Sequence, residues 1–84
     1  MMTMDQIIKL QTSEDWKDRT ISEYQLLLRR EEALAKMINE YERGKLKFIP
    51  NCPIQLLRMQ HDIMCEYLDV LVIRAKLEGI DLYG

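Results

Sequence analysis

Residues 53–78 run Pro-Ile-Gln-Leu-Leu-Arg-Met-Gln-His-Asp-Ile-Met-Cys-Glu-Tyr-Leu-Asp-Val-Leu-Val-Ile-Arg-Ala-Lys-Leu-Glu, bounded by Pro53 and Gly79 with neither residue type between them. This reads as one uninterrupted helix. On a wheel of about 100° per residue, Leu56, Ile63, Val70 and Leu77 form one apolar stripe. Leu57, Met64, Leu68, Leu71 and Ala75 form a second beside it. Together they take up roughly half the circumference. Gln60, Tyr67 and Arg74, one heptad apart, lie inside that arc, so a cation stands where a small helical domain ordinarily places leucine. A helix apolar over this much of its surface needs more than one neighbour, and the chain supplies a single other long helix. Self-association is therefore expected.

Size points the same way. At 84 residues the chain forms a single domain spanning 1–84, close to the lower limit at which one core suffices without disulfides, metal or partner subunits. A net charge of -2 and a pI near 5.3 argue against binding DNA or RNA polymers, whose phosphate backbones demand a basic surface, but leave room for a small anion in a local pocket. Cys52 and Cys65 are the only cysteines and form no CxxC, which suits a reducing cytosol. No segment approaches the ~20 apolar residues of a membrane span, and the first residues are too short an apolar run for a secretory signal, so a soluble intracellular protein with no membrane association is expected.

The expected fold is all-α, with a short N-terminal helix and two long antiparallel helices forming a hairpin, assembled into a homo-oligomeric bundle. The helices are placed at about 3–9, 14–43 and 53–78. Thr3-Met-Asp-Gln6 has capping-box spacing, and Ser13 followed by Glu14 and Asp15 resembles an N-cap with acids in the first turn. From Glu14 to Arg43 there is no Gly or Pro, and Gly44 stands where a helix terminates. The stripe Thr20, Tyr24, Leu27, Glu31, Leu34, Ile38 and Tyr41 is spaced for packing against a near-antiparallel partner. In the connection, Phe48 and Ile49 are expected to tuck under the helix ends. Ile80 is expected to fold back as in a Schellman cap, leaving residues 81–84 as a short tail.

Three sets of residues could carry chemistry. Arg74 admits two readings, an ion pair with Glu31 across the helix pair or a cation awaiting a phosphate or carboxylate. Trp16, Arg19 and Arg30 project within roughly 60° of one another, where they could stack a base and hold a phosphate. The default for them is a tryptophan closing the core among solvated arginines. His61 and Cys65 are spaced i,i+4 with Cys52 not far off, but three ligands without a fourth make a weak zinc site, and packing is the expected role. There is no nucleophile motif, paired-carboxylate signature or glycine-rich phosphate loop, so no catalytic residue, cofactor or metal is assigned.

Ile49-Pro50, Leu56-Leu57, Gln60, Met64, Tyr67, Leu71 and Arg74 reproduce, at the same spacings, a pattern of the small phage anti-CBASS sponge proteins: L-P, then L-L-x-x-Q-x-x-x-M-x-x-Y-x-x-x-L-x-x-R. Trp16-Lys-Asp-Arg-Thr-Ile-Ser-Glu23 resembles their Y-x-x-R-x-I-x-E segment, and Met37-Ile38 stands where they carry F-I. The similarity covers roughly residues 14–78. It implies a compact homo-hexamer that sequesters cyclic di- and trinucleotides such as cGAMP without cleaving them, in the cytoplasm of an infected bacterial host, and so starves CBASS effectors. By the same resemblance the ligand lies between protomers. Trp16 would stack on a base, Arg30 or its neighbour Arg29 would be the mid-helix cation, and Arg19, Tyr67 and Arg74 would complete the ligand-binding set. Trp16 replaces the family's tyrosine, keeping the stacking plane and losing a hydroxyl. An arginine replaces its mid-helix lysine, and Pro53-Ile54 replaces an acidic-amide pair. The competing class is a helical-hairpin adaptor that turns its broad apolar face to a host or phage protein. A small all-helical enzyme resembling the chorismate mutases ranks last, since that family's spacing of arginine and lysine is absent.

Overall fold

The computed structural model describes residues 2–83. Three α-helices follow one another, α1 (Met4–Gln11), α2 (Trp16–Glu42) and α3 (Ile54–Glu78), and no strand occurs among the described residues. The capping box forms as the spacing predicts: Thr3 Oγ1 accepts from the Gln6 amide, and the Gln6 side chain accepts from the Thr3 amide. The N-cap of α2 is Asp15, whose carboxylate accepts from the Lys17 amide, so α2 begins two residues later than expected. Ser13 instead accepts from the Asp15 amide and donates to the Asp18 carboxylate. The turn therefore has a carboxylate closer to the first free amides than the serine is. At the far end of α3, Gly79 takes φ 70° and ψ 37°, and the Ile80 amide donates to the Ala75 carbonyl at 2.8 Å, which closes the Schellman turn.

α2 and α3 pack against each other, while α1 packs on α2 alone. Ile7 is completely buried there, and Ser22 Oγ donates to its carbonyl at 3.0 Å. The hairpin core consists of Tyr24, Leu71, Ala75 and Leu82, with Leu27, Leu28, Leu68, Val72 and Ile80 packed around it. Leu82 belongs to this core instead of trailing as a tail, and Gly84, the last residue of the expected tail, lies outside the described residues. Leu82 is buried, its carbonyl accepts from Gln25 Nε2 at 2.9 Å, and the Tyr24 and Tyr83 hydroxyls stand 2.7 Å apart with their rings edge to face.

The buried core gathers at this end of the hairpin. Phe48 and Ile49 do not tuck in, and Ile49 is 90% exposed. The two stripes of α3 separate in the same way. Met64, Leu71 and Ala75 are buried, whereas Leu56, Ile63, Val70 and Leu77 are each more than half exposed.

Burial first, and then the hydrogen bond with Tyr83, pushes the Tyr24 phenol up to about 12. The fold therefore favours the neutral phenol. Its contribution to stability is intact below about pH 10, where the unfolded chain also holds the proton, and is lost as pH rises from about 10 to 12. An ultraviolet titration should show one of the four tyrosines ionising late, and Tyr24→Phe should remove that late step.

Candidate functional site

α2 presents its N-terminal face to solvent with Trp16 at the first helical position, nearly half exposed, and Lys17 Nζ 5.8 Å from the centre of its ring. Arg19 lies one turn on and donates from Nη1 to the Ser13 carbonyl at 2.9 Å, which holds the guanidinium against the α1–α2 turn. Arg19 and Arg30 line one shallow groove of about 320 Å³ together with Gln11, Glu23 and Leu26. Arg30 makes no hydrogen bond or ion pair among the described residues. Arg29 points elsewhere: its Nη2 donates to the Met2 carbonyl, tying α2 to the start of α1. Of the two neighbouring arginines, Arg30 is the one open to the groove.

Tyr67 and Arg74 lie on the outer face of α3. Leu56, Gln60, Ile63, Tyr67, Val70, Arg74 and Leu77 alternate in steps of four and three residues, the spacing of a coiled-coil seam, and every one of them is exposed. Arg74 does not pair with Glu31. Its Nε donates to Glu78 at 3.1 Å, one turn along the same helix, with nearly half the side chain in water. Face and axial position both exclude the pair. Glu31 lies level with His61, and Arg74 is 13 residues further along α3, or ~20 Å at the helical rise.

Glu31 instead meets His61, whose Nε2 stands 3.0 Å from its carboxylate, and Cys65, whose Sγ is 3.8 Å from the same oxygen. The sequence groups His61 and Cys65 with Cys52 and offers Glu31 as a partner for Arg74; the packed helices exchange those partners. Burial, and next the Glu31 carboxylate, pushes the Cys65 thiol up. It stays protonated at neutral pH and is a poor nucleophile. A second feature that sequence patterns gave no signal for is an open cleft of about 820 Å³ between α1, α2 and the C-terminal residues, lined by Gln6, Lys9, Ser13, Asp18 and Tyr83 among others. None of the candidate ligand-binding residues read from the sequence lines it.

No strained backbone or buried ionised pair concentrates at Trp16, Arg30, Tyr67 or Arg74. Their common property is that aromatic planes and cations stand open on the surface of a single protomer. The model of the family described as Sequestin matches residues 14–77, from just before α2 to the last turn of α3. The chain belongs to the Sequestin family. The Sequestin match leaves α1, Glu78 and the docked C-terminal residues outside it, and takes in the rest of the α2–α3 hairpin with Trp16, Arg19, Arg30, Tyr67 and Arg74. No curated protein and no solved structure matches the chain. The Sequestin name denotes a protein that binds and holds, in keeping with the sponge proteins its motifs resemble. No helix among the described residues is long and apolar enough to cross a membrane.

Proposed function

We propose that this Sequestin protein is a phage anti-defence sponge that captures cyclic oligonucleotide second messengers between copies of itself and holds them uncleaved, inhibiting CBASS immunity in the host cytoplasm. The observation that carries this reading is the open seam of α3. A row of apolar residues interrupted by Tyr67 and Arg74 is the surface expected of an interface that also receives a polar, planar ligand. The α2 face supports it. Trp16 and Arg30 are 14 residues apart on one helix, ~21 Å along the axis, farther than one small cyclic nucleotide reaches. A ligand that stacks on the tryptophan and meets an arginine of the Arg30 level is therefore served by two different copies. Trp16 supplies the base-stacking plane, Arg19 and Arg30 the phosphate contacts on α2, and Arg74 with Tyr67 those on α3. Arg29, engaged by the Met2 carbonyl, serves the fold.

Native mass spectrometry with a mixture of cyclic di- and trinucleotides tests assembly and ligand together. The expected result is a homo-oligomer, six copies by family resemblance, carrying ligands of unchanged mass. Linear products accumulating in step with protein concentration would move the assignment to a phosphodiesterase. The exposed seam also favours one other reading, an adaptor hairpin that covers its apolar face with a host or phage protein. A ligand-free monomer of 10.1 kDa in the same experiment would support that instead.

A further inference from the structure

Glu31, His61 and Cys65 lie between α2 and α3, away from the surfaces assigned to the nucleotide. Their donor atoms are drawn from two helices, His61 and Cys65 from successive turns of α3 and Glu31 from α2 opposite. Glu31 Oε1, His61 Nε2 and Cys65 Sγ form a triangle with sides of 3.0, 3.8 and 3.8 Å. Zinc, with bonds of about 2.0–2.3 Å to O, N and S at tetrahedral angles, holds such ligands roughly 3.4–3.6 Å apart. The three donors already stand within about 0.4 Å of those spacings. We propose that Glu31, His61 and Cys65 form a zinc-type divalent metal site that clamps α2 to α3, with its fourth position open to water.

The donor chemistry fits this ion. One thiolate, one imidazole and one carboxylate are a borderline-soft set, and the two anions balance a dication, so a half-buried location carries no net charge. Cys65 gives up its proton to solvent as the metal binds. Asp62 and Asp69 add negative potential at the thiol beyond that of Glu31, which attracts a cation. Cys52 does not belong to the cluster, whose members are Glu31, His61 and Cys65 alone. The plainer alternative is a hydrogen bond between Glu31 and His61 that satisfies two half-buried polar groups with Cys65 as filler. The alternatives differ in what they do with added metal.

Reduced, metal-free full-length protein should be titrated with Co²⁺ and then challenged with Zn²⁺. The expected result is one Co²⁺ per chain with a sulfur-to-cobalt charge-transfer band that Zn²⁺ abolishes. Cys52→Ser should keep the band and Cys65→Ser should lose it. Glu31→Gln and His61→Asn should each weaken Zn²⁺ binding by at least about tenfold, since even the partners behind a metal ligand are worth that much. Zn²⁺ should raise the melting temperature of wild type and leave that of Cys65→Ser unmoved. No band, or a band that survives in Cys65→Ser or disappears with Cys52, overturns the site. If Cys65→Ser does not fold, Cys52→Ser decides alone: its one remaining thiol is Cys65, and it either gives the band at one metal per chain or it does not.

Discussion

Arg74→Ala should lower capture of a cyclic dinucleotide by roughly tenfold to a hundredfold, the loss of charge-assisted hydrogen bonds of about 1.5–3 kcal/mol, while the protein melts close to wild type. The asymmetry follows from what Arg74 touches. Within the protomer its partner is Glu78, one turn away on the same helix and partly in water. Such an exposed pair is worth about 0.3–0.5 kcal/mol. Had Arg74 been buried against Glu31, its removal would have stranded a carboxylate and cost about 3–5 kcal/mol. That loss is not expected here, because Glu31 keeps His61 whatever happens at Arg74. Trp16→Ala should give the same pattern, since stacking of a base on an aromatic ring is worth about 1–3 kcal/mol. Calorimetric melts beside ligand titrations separate the two quantities. An Arg74→Ala protein that melts far below wild type, with its surviving oligomers binding normally, would assign the residue to the fold.

Leu71→Ala and Val70→Glu, one residue apart, should fail in different ways. Leu71 is 1% exposed in the heart of the hairpin core. Its truncation removes buried methyl groups and leaves a cavity, for about 2–5 kcal/mol. Against a total of about 5–15 kcal/mol for an ordinary domain, that is enough to shift a denaturant midpoint far toward water. Val70 points outward along the α3 seam and is half exposed in the single chain. A carboxylate there costs the protomer little but places repeated like charge across any contact between copies of α3. Sedimentation of Val70→Glu should therefore return a helical protomer of 10.1 kDa, while wild type sediments as an oligomer. Wild type sedimenting as that same monomer would remove the assembly argument altogether.

Much of the fold was legible because helix signals are local. The Thr3–Gln6 box, Gly44 and Gly79 are stated within a turn of the place where they act, and α2 and α3 begin and end within two residues of the expected positions. The angular facts were legible too: Met64, Leu71 and Ala75 go in, and a second stripe is left over. What a helical wheel lacks is the axial coordinate. Glu31 faces α3 at the level of His61, whereas Arg74 stands on the outer face of α3 13 residues further along, and the antiparallel register that puts Glu31 opposite His61 depends on how the whole hairpin packs. The docking of Leu82 and Tyr83 was invisible for a similar reason, since the five residues after Gly79 are too few to carry periodicity, and only the presence of Tyr24 and Gln25 on α2 gives them somewhere to bind. Of the candidate site, residue types and faces could be read. Arg29 and Arg30 could not be told apart until α1 had taken one of them.

The attachment of α1 has its own consequence. This eight-residue helix rests on α2 through one wholly buried side chain, Ile7, and makes no packing contact with α3. It can lift off as a unit without disturbing the contacts that join the hairpin, and a helix of this length has no stability of its own once detached. A local opening in which α1 melts while α2 and α3 stay paired is then a low-energy excursion of the molecule. That opening would free the Arg29 guanidinium from the Met2 carbonyl and bare the buried hydroxyl of Ser22, so the N-terminal half of α2 has two alternative surfaces, one covered and one open.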